Sequence, residues 1–355
     1  MKAKKQIDSK ANSTSNISLD GILNHAKKML NKSLEFAEAN GLLTLKTAND
    51  WIEQAKSRPI PKRLFGDLWF EGELCILFAD TNLGKSSLAV QIADSISRNK
   101  SIPNFAFDAR KQPTVYFDFE LSDKQFENRY SKDFEDHYQF DKNFKRVEIN
   151  SEAIIPEGII FEEHLYNAIE KIIIETKAKI LIIDNITYLS NQTDKAREAL
   201  PLMKYLKKLK NKYGLSILVL AHTPKRDLSK VITRNDLQGS KMLINFCDSA
   251  FAIGESKLDK NIRYLKQIKA RSTEIIYDSE NVCICEIGKP HNFLKFMFVR
   301  FGNEKEHLKE HTEKDRSGLL EQIKELKKQG MSLRKIGSEL GITHMRVKRI
   351  LDDNS

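Results

Sequence analysis

Residues 79–87 are Ala79-Asp80-Thr81-Asn82-Leu83-Gly84-Lys85-Ser86-Ser87. They match the Walker A pattern G-x-x-x-x-G-K-[ST], except that alanine replaces the first glycine. The apolar run Leu74–Phe78 before them has the composition of a buried strand, and residues 85–98 after them have helical spacing. A loop between a strand and a helix turns backbone N–H groups and the helix N-terminus toward an anion. The segment therefore predicts a phosphate-binding P-loop.

The residue types in this loop suit ATP and Mg²⁺. Lys85 would neutralise the β- and γ-phosphates, and the Ser86 hydroxyl would bind Mg²⁺. The alternative is a chance Gly-Lys-Ser turn between a strand and a helix, which the agreement of pattern and context disfavours. We expect the nucleotide to contact Thr81, Asn82, Leu83, Gly84, Lys85, Ser86 and Ser87.

A second apolar segment ends in a carboxylate. Residues 180–184, Ile-Leu-Ile-Ile-Asp, predict a Walker B strand whose Asp184 holds Mg²⁺ at the C-terminal edge of a sheet. Asn185 follows, so the glutamate that often comes next and activates water is absent. Glu120 ends the predicted strand at 114–119 and can deprotonate water from the neighbouring edge. The alternative for Glu120 is a solvated strand cap, and the missing Walker B glutamate favours the catalytic role.

Strand-like and helical segments alternate between residues 74 and 221. Strands that are apolar along their whole length and alternate with helices indicate an α/β fold with a mostly parallel sheet. The predicted strands lie at 74–78, 114–119, 179–184 and 216–221, and the predicted helices at 85–98, 122–130, 162–176 and 196–213. Further strand-like runs at 250–253, 263–268, 275–277, 282–286 and 295–300 predict hairpins at the sheet edge.

Composition divides the chain into four parts. Residues 1–60 have the pattern of a polar tail and a small helical arm, the latter from Leu19 to Leu30. The α/β core is predicted at 61–302 and a densely charged linker at 303–315. Residues 316–355 form a compact helical module.

The C-terminal module has the pattern helix, glycine-containing turn, helix, which is typical of a helix-turn-helix. Ser332 and Thr343 are suitable N-caps for its two helices. Its groove-facing helix would present four side chains to duplex DNA: His344, Arg346, Lys348 and Arg349. A helical hairpin used for protein contact is the alternative, and DNA binding is favoured.

The overall composition restricts the classes of protein. The 355 residues are 40% hydrophobic and 30% charged, which is typical of a soluble globular protein. No apolar run approaches the ~20 residues that span a bilayer, and no secretory h-region follows the first residues, so we expect a cytoplasmic protein without a membrane partner. The four scattered cysteines predict neither a disulfide framework nor a zinc site. The net charge of +10 makes nucleic acid a plausible partner.

Over residues 64–301 these motifs resemble the RecA-like ATPases of the DnaB and plasmid RepA hexameric helicase type, including related ATPases of mobile elements. The resemblance implies that Glu120 is the catalytic glutamate. It also implies that His222, in the segment Leu218–Thr223, is a polar sensor after the next strand, where DnaB-like enzymes commonly have glutamine. A histidine that only caps the strand is the alternative, and the sensor is favoured.

Two further features follow from the same resemblance. Lys269 and Arg271 resemble a Lys-x-Arg finger pair that enters the nucleotide site of a neighbouring subunit, so the active unit would be a homo-oligomer, namely a hexameric ring. A solvated basic strand end is the alternative for this pair. Similar proteins place their central-channel loops for single-stranded DNA where this chain has Gln238, Gly239, Ser240 and Lys241.

Two functions are compatible with these patterns. The first is an ATP-hydrolysing, DNA-associated motor, a RepA- or DnaB-like helicase for a plasmid or mobile element. The second is a nucleotide-switched DNA-binding regulator or initiator without unwinding activity. A P-loop kinase of a small substrate is disfavoured because it needs neither the finger pair nor the terminal module.

Overall fold

The computed structural model describes residues 43–155, 158, 160–186, 196–237, 240–308, 313–340 and 344–352, with side chains except at 196–200, 240–242, 313–317, 345 and 346. The chain divides into two compact units, Met1–Ile60 and Pro61–Ser355. The first contains helix α1 (Ala48–Lys56), which begins at a capping box formed by Thr47 and Asp50. The arm predicted at Leu19–Leu30 lies outside the described residues.

The second unit contains thirteen strands, eight α-helices and two 3-10 helices among its described residues. The strands are β1 (Arg63–Phe65), β2 (Trp69–Phe70), β3 (Leu74–Ala79), β4 (Thr114–Asp118), β5 (Ser131–Lys132), β6 (Asp136–His137), β7 (Phe144–Val147), β8 (Ile180–Asp184), β9 (Ser216–His222), β10 (Ser249–Glu255), β11 (Ile262–Lys269), β12 (Val282–Gly288) and β13 (Lys295–Gly302). The helices are α2 (Lys85–Arg98), α3 (Asp123–Arg129), α4 (Phe161–Thr176), α5 (Ala196–Tyr213), α6 (Ser240–Phe246), α7 (Glu313–Lys328), α8 (Leu333–Glu339) and α9 (His344–Asp352).

A nine-stranded sheet organises this unit, in the order β13-β12-β11-β10-β3-β9-β8-β4-β7. The six strands from β10 to β7 are parallel, and the three beyond β10 are antiparallel. Helix α2 packs its apolar side chains on one face, and α4 and α5 cover the other. The predicted α/β class with a mostly parallel sheet is confirmed, and the parallel strands bring their C-terminal ends to one edge.

The antiparallel strands differ from prediction at one place. Residues 275–277 are not a strand. The side chain of Gln267 on β11 accepts hydrogen bonds from the N–H groups of Ile276 and Tyr277, at 2.8 and 3.3 Å, and replaces a strand ladder there. Strand β7 and helix α6 were not predicted, and neither were the short pairs β1–β2 and β5–β6.

The segment predicted as the start of a charged linker belongs to the core. Residues Glu304–His307 form a 3-10 helix in which Glu304 is fully buried. Its carboxylate lies 2.6 Å from the ammonium of Lys266 and accepts hydrogen bonds from the Ile232 N–H and the Tyr264 hydroxyl. A charged sequence therefore contributes a buried ion pair that anchors the end of the sheet.

Helices α7, α8 and α9 enclose a small core of Ile323, Ile336 and Val347. The Ser332 hydroxyl accepts a hydrogen bond from the Lys335 N–H at the start of α8, as the sequence predicts. Thr343 lies outside the described residues. Within the part of the chain that the structure describes, no helix has the length and apolar character that crossing a bilayer requires.

Candidate nucleotide site

The P-loop lies between β3 and α2, at the C-terminal edge of the parallel strands. Gly84 has φ +93° at the N-cap of α2, a conformation that favours glycine. A Cβ atom on Gly84 would lie 2.6 Å from Ile287 Cδ1 and 2.9 Å from Phe296 Cε2. The positive φ favours glycine here, and any Cβ would also displace the two side chains that cover the loop from β12 and β13.

Lys85 points back into the loop. Its ammonium donates hydrogen bonds to the carbonyls of Ala79 at 3.0 Å and Asp80 at 2.9 Å. Burial lowers the pKa of Lys85, and the charges of Asp184, Glu120 and Asp80 oppose that shift. The positive charge is thus held inside the loop, where Lys85 is expected to meet phosphate.

Asp184 ends β8 and is fully buried. Its Oδ2 accepts a hydrogen bond of 2.6 Å from the Tyr116 hydroxyl, and its Oδ1 is buried without a hydrogen-bond partner among the described residues. Burial raises the pKa of Asp184 to about 6, and hydrogen bonding of the carboxylate by the Ser86 and Tyr116 hydroxyls opposes that rise.

An unpartnered carboxylate oxygen beside a hydroxyl suits Mg²⁺. Among the described residues no group of three or more His, Cys, Asp and Glu side chains is placed to hold a metal. Mg²⁺ needs no such group, because it is commonly bound by one or two protein oxygens together with substrate phosphates and water. Ser86 and Asp184 therefore fit the metal that a P-loop uses.

Glu120, Asn185 and His222 meet beside the P-loop. Nε2 of His222 lies 3.3 Å from Oε1 of Glu120 and 3.0 Å from Nδ2 of Asn185, and that Asn185 nitrogen also donates to Oε1. The hydrogen bond from His222 lowers the pKa of Glu120 and outweighs the opposing effect of burial. Glu120 is consequently held as a carboxylate with both donors on one oxygen.

Asp118 holds the turn that carries Glu120. Oδ1 of this buried carboxylate accepts hydrogen bonds from the N–H groups of Glu120 and Leu121, at 3.2 and 3.0 Å. Its Oδ2 accepts from Nε of Arg146 at 2.8 Å, and Arg146 also donates to the Leu121 carbonyl. Asp118 and Arg146 thereby position the backbone of the candidate base.

Five residues predicted from sequence thus lie together: Lys85, Ser86, Glu120, Asp184 and His222. Lys269 and Arg271 do not join them, because β11 is antiparallel to β10 and ends at the opposite edge of the sheet. There the Lys269 ammonium donates to carbonyls at the C-terminal end of α6, including that of Cys247 at 2.8 Å. Arg271 is 48% exposed and lies 3.2 Å from Asp248.

The predicted DNA-contacting residues are only partly described. Gln238 and Gly239 lie outside the described residues. Ser240 and Lys241 begin α6, and their side chains are not described. His344, Lys348 and Arg349 are exposed on α9, whereas the side chain of Arg346 is not described.

Sequence reasoning missed three participants in the site. Tyr116, Asn185 and Arg146 act through contacts between different strands, so no local motif marks them. The sequence marks Asn185 only as the absence of a Walker B glutamate, yet its side-chain amide donates a hydrogen bond to Glu120, the candidate base. The peptide bond between Asp184 and Asn185 is cis.

The loop, the two carboxylates and the order of the parallel strands define a P-loop nucleoside triphosphatase with a RecA-like sheet. The chain belongs to the AAA domain family, whose model matches residues 42–227. A KaiC-like protein from the hyperthermophilic archaeon Pyrococcus horikoshii OT3 is among the similar solved structures, with 16% identity, a TM-score of 0.43, and coverage of 64% of this chain and 90% of that one. No curated protein matches the chain. By family and site, the protein is a RecA-like ATPase.

Proposed function

We propose that the protein is a DNA-associated motor driven by ATP hydrolysis, of the RepA or DnaB helicase type, which serves a plasmid or mobile element. One observation carries the proposal. His222 contacts both Lys85 and Glu120 at the end of β9, and the chain continues from it through residues 223–237 to the candidate DNA loop at 238–241. A displacement of that loop by DNA would therefore act on the histidine that holds the candidate base.

Each site residue has a defined task in hydrolysis. Lys85 and the loop N–H groups bind the phosphates, and Glu120 accepts a proton from the attacking water. A base must be ionised, and the lowered pKa of Glu120 keeps it so at neutral pH. Mg²⁺, held by Ser86 and Asp184, supplies charge neutralisation when bound. Because both donors occupy Oε1 of Glu120, we assign Oε2 to the water.

Contacts with DNA would be divided between two regions. Single-stranded DNA would pass the loop at 238–241, whose lysine and glycine suit a phosphate backbone. Duplex DNA would meet the exposed basic residues of α9. The net charge of +10 supports a polyanionic partner by raising the rate of encounter.

Assembly as a hexameric ring would complete the site. Arg271 lies at the sheet edge away from the P-loop of its own chain, so it can reach a nucleotide only in a neighbouring copy. The Arg271 guanidinium is 48% exposed, and it would leave its two partners, Asp248 and the Asn245 carbonyl, to meet a phosphate. A charge supplied from a neighbour in this way stabilises charge on the transferred phosphoryl group.

The test is steady-state ATP hydrolysis with no DNA, with single strands and with duplex. The motor requires strong stimulation by single strands, and Glu120→Gln should reduce the stimulated rate by about 10²–10⁴-fold. Glu127→Gln is the matched control, since Glu127 lies on α3 and pairs with Lys124 away from the P-loop. Turnover that no DNA changes would refute the motor.

A nucleotide-switched regulator or initiator is the second candidate. Helices α7–α9 have an apolar core of their own, so they can recognise duplex without a translocating ring. This function predicts duplex binding that depends on nucleotide, measured by fluorescence anisotropy, without separation of strands.

A further inference from the structure

Tyr116 connects the neighbouring strand to the candidate metal ligand. It lies on β4 directly opposite Ile182 of β8, and Asp184 is two residues further along β8 on the same face. The ring is fully buried, and its hydroxyl donates to Oδ2 of Asp184 at 2.6 Å. A contact this short is typical of a hydroxyl bound to an ionised carboxylate.

The hydrogen bond leaves the two oxygens of Asp184 in different situations. Oδ2 is engaged by Tyr116, while Oδ1 is buried and unpartnered among the described residues, on the carboxylate that the Ser86 hydroxyl faces. We propose that Tyr116 is a positioning residue for Mg²⁺: it fixes the plane of the Asp184 carboxylate so that Oδ1 is presented to the metal. This inference rests on the proposed ATPase site and adds the residue that orients its metal ligand.

The bond is not simply what a buried tyrosine needs in this core. Tyr130 is equally buried in the cluster that contains Tyr116, and its hydroxyl has no partner among the described residues. The fold therefore accommodates a buried tyrosine hydroxyl without a partner, so the hydrogen bond from Tyr116 to Asp184 is not needed merely to bury the ring. Groups that orient a metal ligand typically change metal affinity by about 10–100-fold when removed.

The experiment compares metal affinity in Tyr116→Phe, Tyr130→Phe and wild type of the full-length protein. A fluorescent ADP analogue is bound first without metal, and Mg²⁺ is then titrated, with Mn²⁺ as a second metal. We expect Tyr116→Phe to bind metal about 10-fold or more weakly. Its metal-free nucleotide affinity should equal that of wild type, because the P-loop is untouched. At saturating Mg²⁺ its kcat should return toward the wild-type value.

Tyr130→Phe removes the same atom from the same core and should change neither affinity. Equal metal affinity in Tyr116→Phe and wild type would overturn the inference, as would equal weakening in both variants, since the effect would then be one of packing. If the wild-type protein binds Mg²⁺ with ADP but hydrolyses no ATP with any DNA, the proposed motor function is refuted. The comparison of metal affinities still decides the role of Tyr116 in that case.

Discussion

The Lys85 ammonium lies 3.3 Å from Nδ1 of His222, and the other ring nitrogen of His222, Nε2, lies 3.3 Å from Oε1 of Glu120. The side-chain nitrogen of Asn185 lies 3.0 Å from the same Nε2 and donates a hydrogen bond to the same oxygen of Glu120. One histidine thus connects the lysine of the P-loop with the candidate base.

Replacing His222 should separate DNA binding from hydrolysis. In His222→Gln, the amide can still bond to Lys85 or to Glu120 but cannot span both, so we expect stimulation by single-stranded DNA to fall to near the basal rate. Nucleotide affinity should stay within about fivefold, because removing one hydrogen bond is worth about 1 kcal/mol or less here. ATP turnover with and without DNA measures this, and full stimulation in the variant would contradict it.

Asp118→Asn should lower kcat without lowering nucleotide affinity. The amide would turn a donor toward Arg146 and release the turn that carries Glu120, and misplacement by about 1 Å can cost about 100-fold. Asp94→Asn is the matched control, because it breaks the 2.7 Å ion pair with Arg98 at the far end of α2. Similar kcat values in the two variants would show that Asp118 has only a structural role.

We expect Lys269 to have a structural role and Arg271 a catalytic one. Lys269→Met removes the cation that holds the end of α6, so we expect a loss of about 1–2 kcal/mol in the free energy of unfolding, measured with urea. Arg271→Ala should leave that free energy nearly unchanged, because its ion pair is exposed.

If Arg271 acts on a neighbouring subunit, Arg271→Ala should lose ATPase activity that equal mixing with Glu120→Gln protein partly restores. Mixed rings contain some junctions at which an intact Glu120 faces an intact Arg271. No gain on mixing would argue against a site shared between copies.

The raised pKa of Asp184 predicts a dependence on pH. A carboxyl whose folded pKa is above its unfolded value of about 4 binds a proton more tightly in the folded protein. Its contribution to stability is therefore fully present below a pH of about 4 and is lost as the pH rises through about 6. As the pH rises from about 4 to about 6, we expect the melting temperature of the metal-free protein to fall relative to that of the Asp184→Asn variant.

Binding of Mg²⁺ needs the ionised carboxylate, so metal affinity should rise over the same window. Titration of Mg²⁺ in the presence of ADP at a series of pH values checks this part. An affinity independent of pH between about 5 and 7 would exclude Asp184 as the titrating ligand.

The sequence predicts those parts of the molecule that are local along the chain. The loop at 79–87, the strand at 180–184 and the glutamate at 120 each have a short pattern, and parallel pairing brings their ends together. The contacts of Tyr116 and Arg146 depend on which strands are neighbours, so composition cannot reveal them. Glu304 was misplaced for a related reason, since a charged stretch predicts solvent exposure unless its buried partner, Lys266, is known.

Gly84 lies against Ile287 and Phe296, two residues far beyond the segment that the family model matches. An excised fragment that ends at residue 227 would therefore lack the two side chains that cover the loop at Gly84, although it contains Lys85, Ser86, Glu120, Asp184 and His222. During synthesis on the ribosome, the loop at 79–87 acquires its final surroundings only after some two hundred further residues have emerged. Nucleotide binding should accordingly arise late in folding, and transfer of the matched segment alone into another protein should not carry it along.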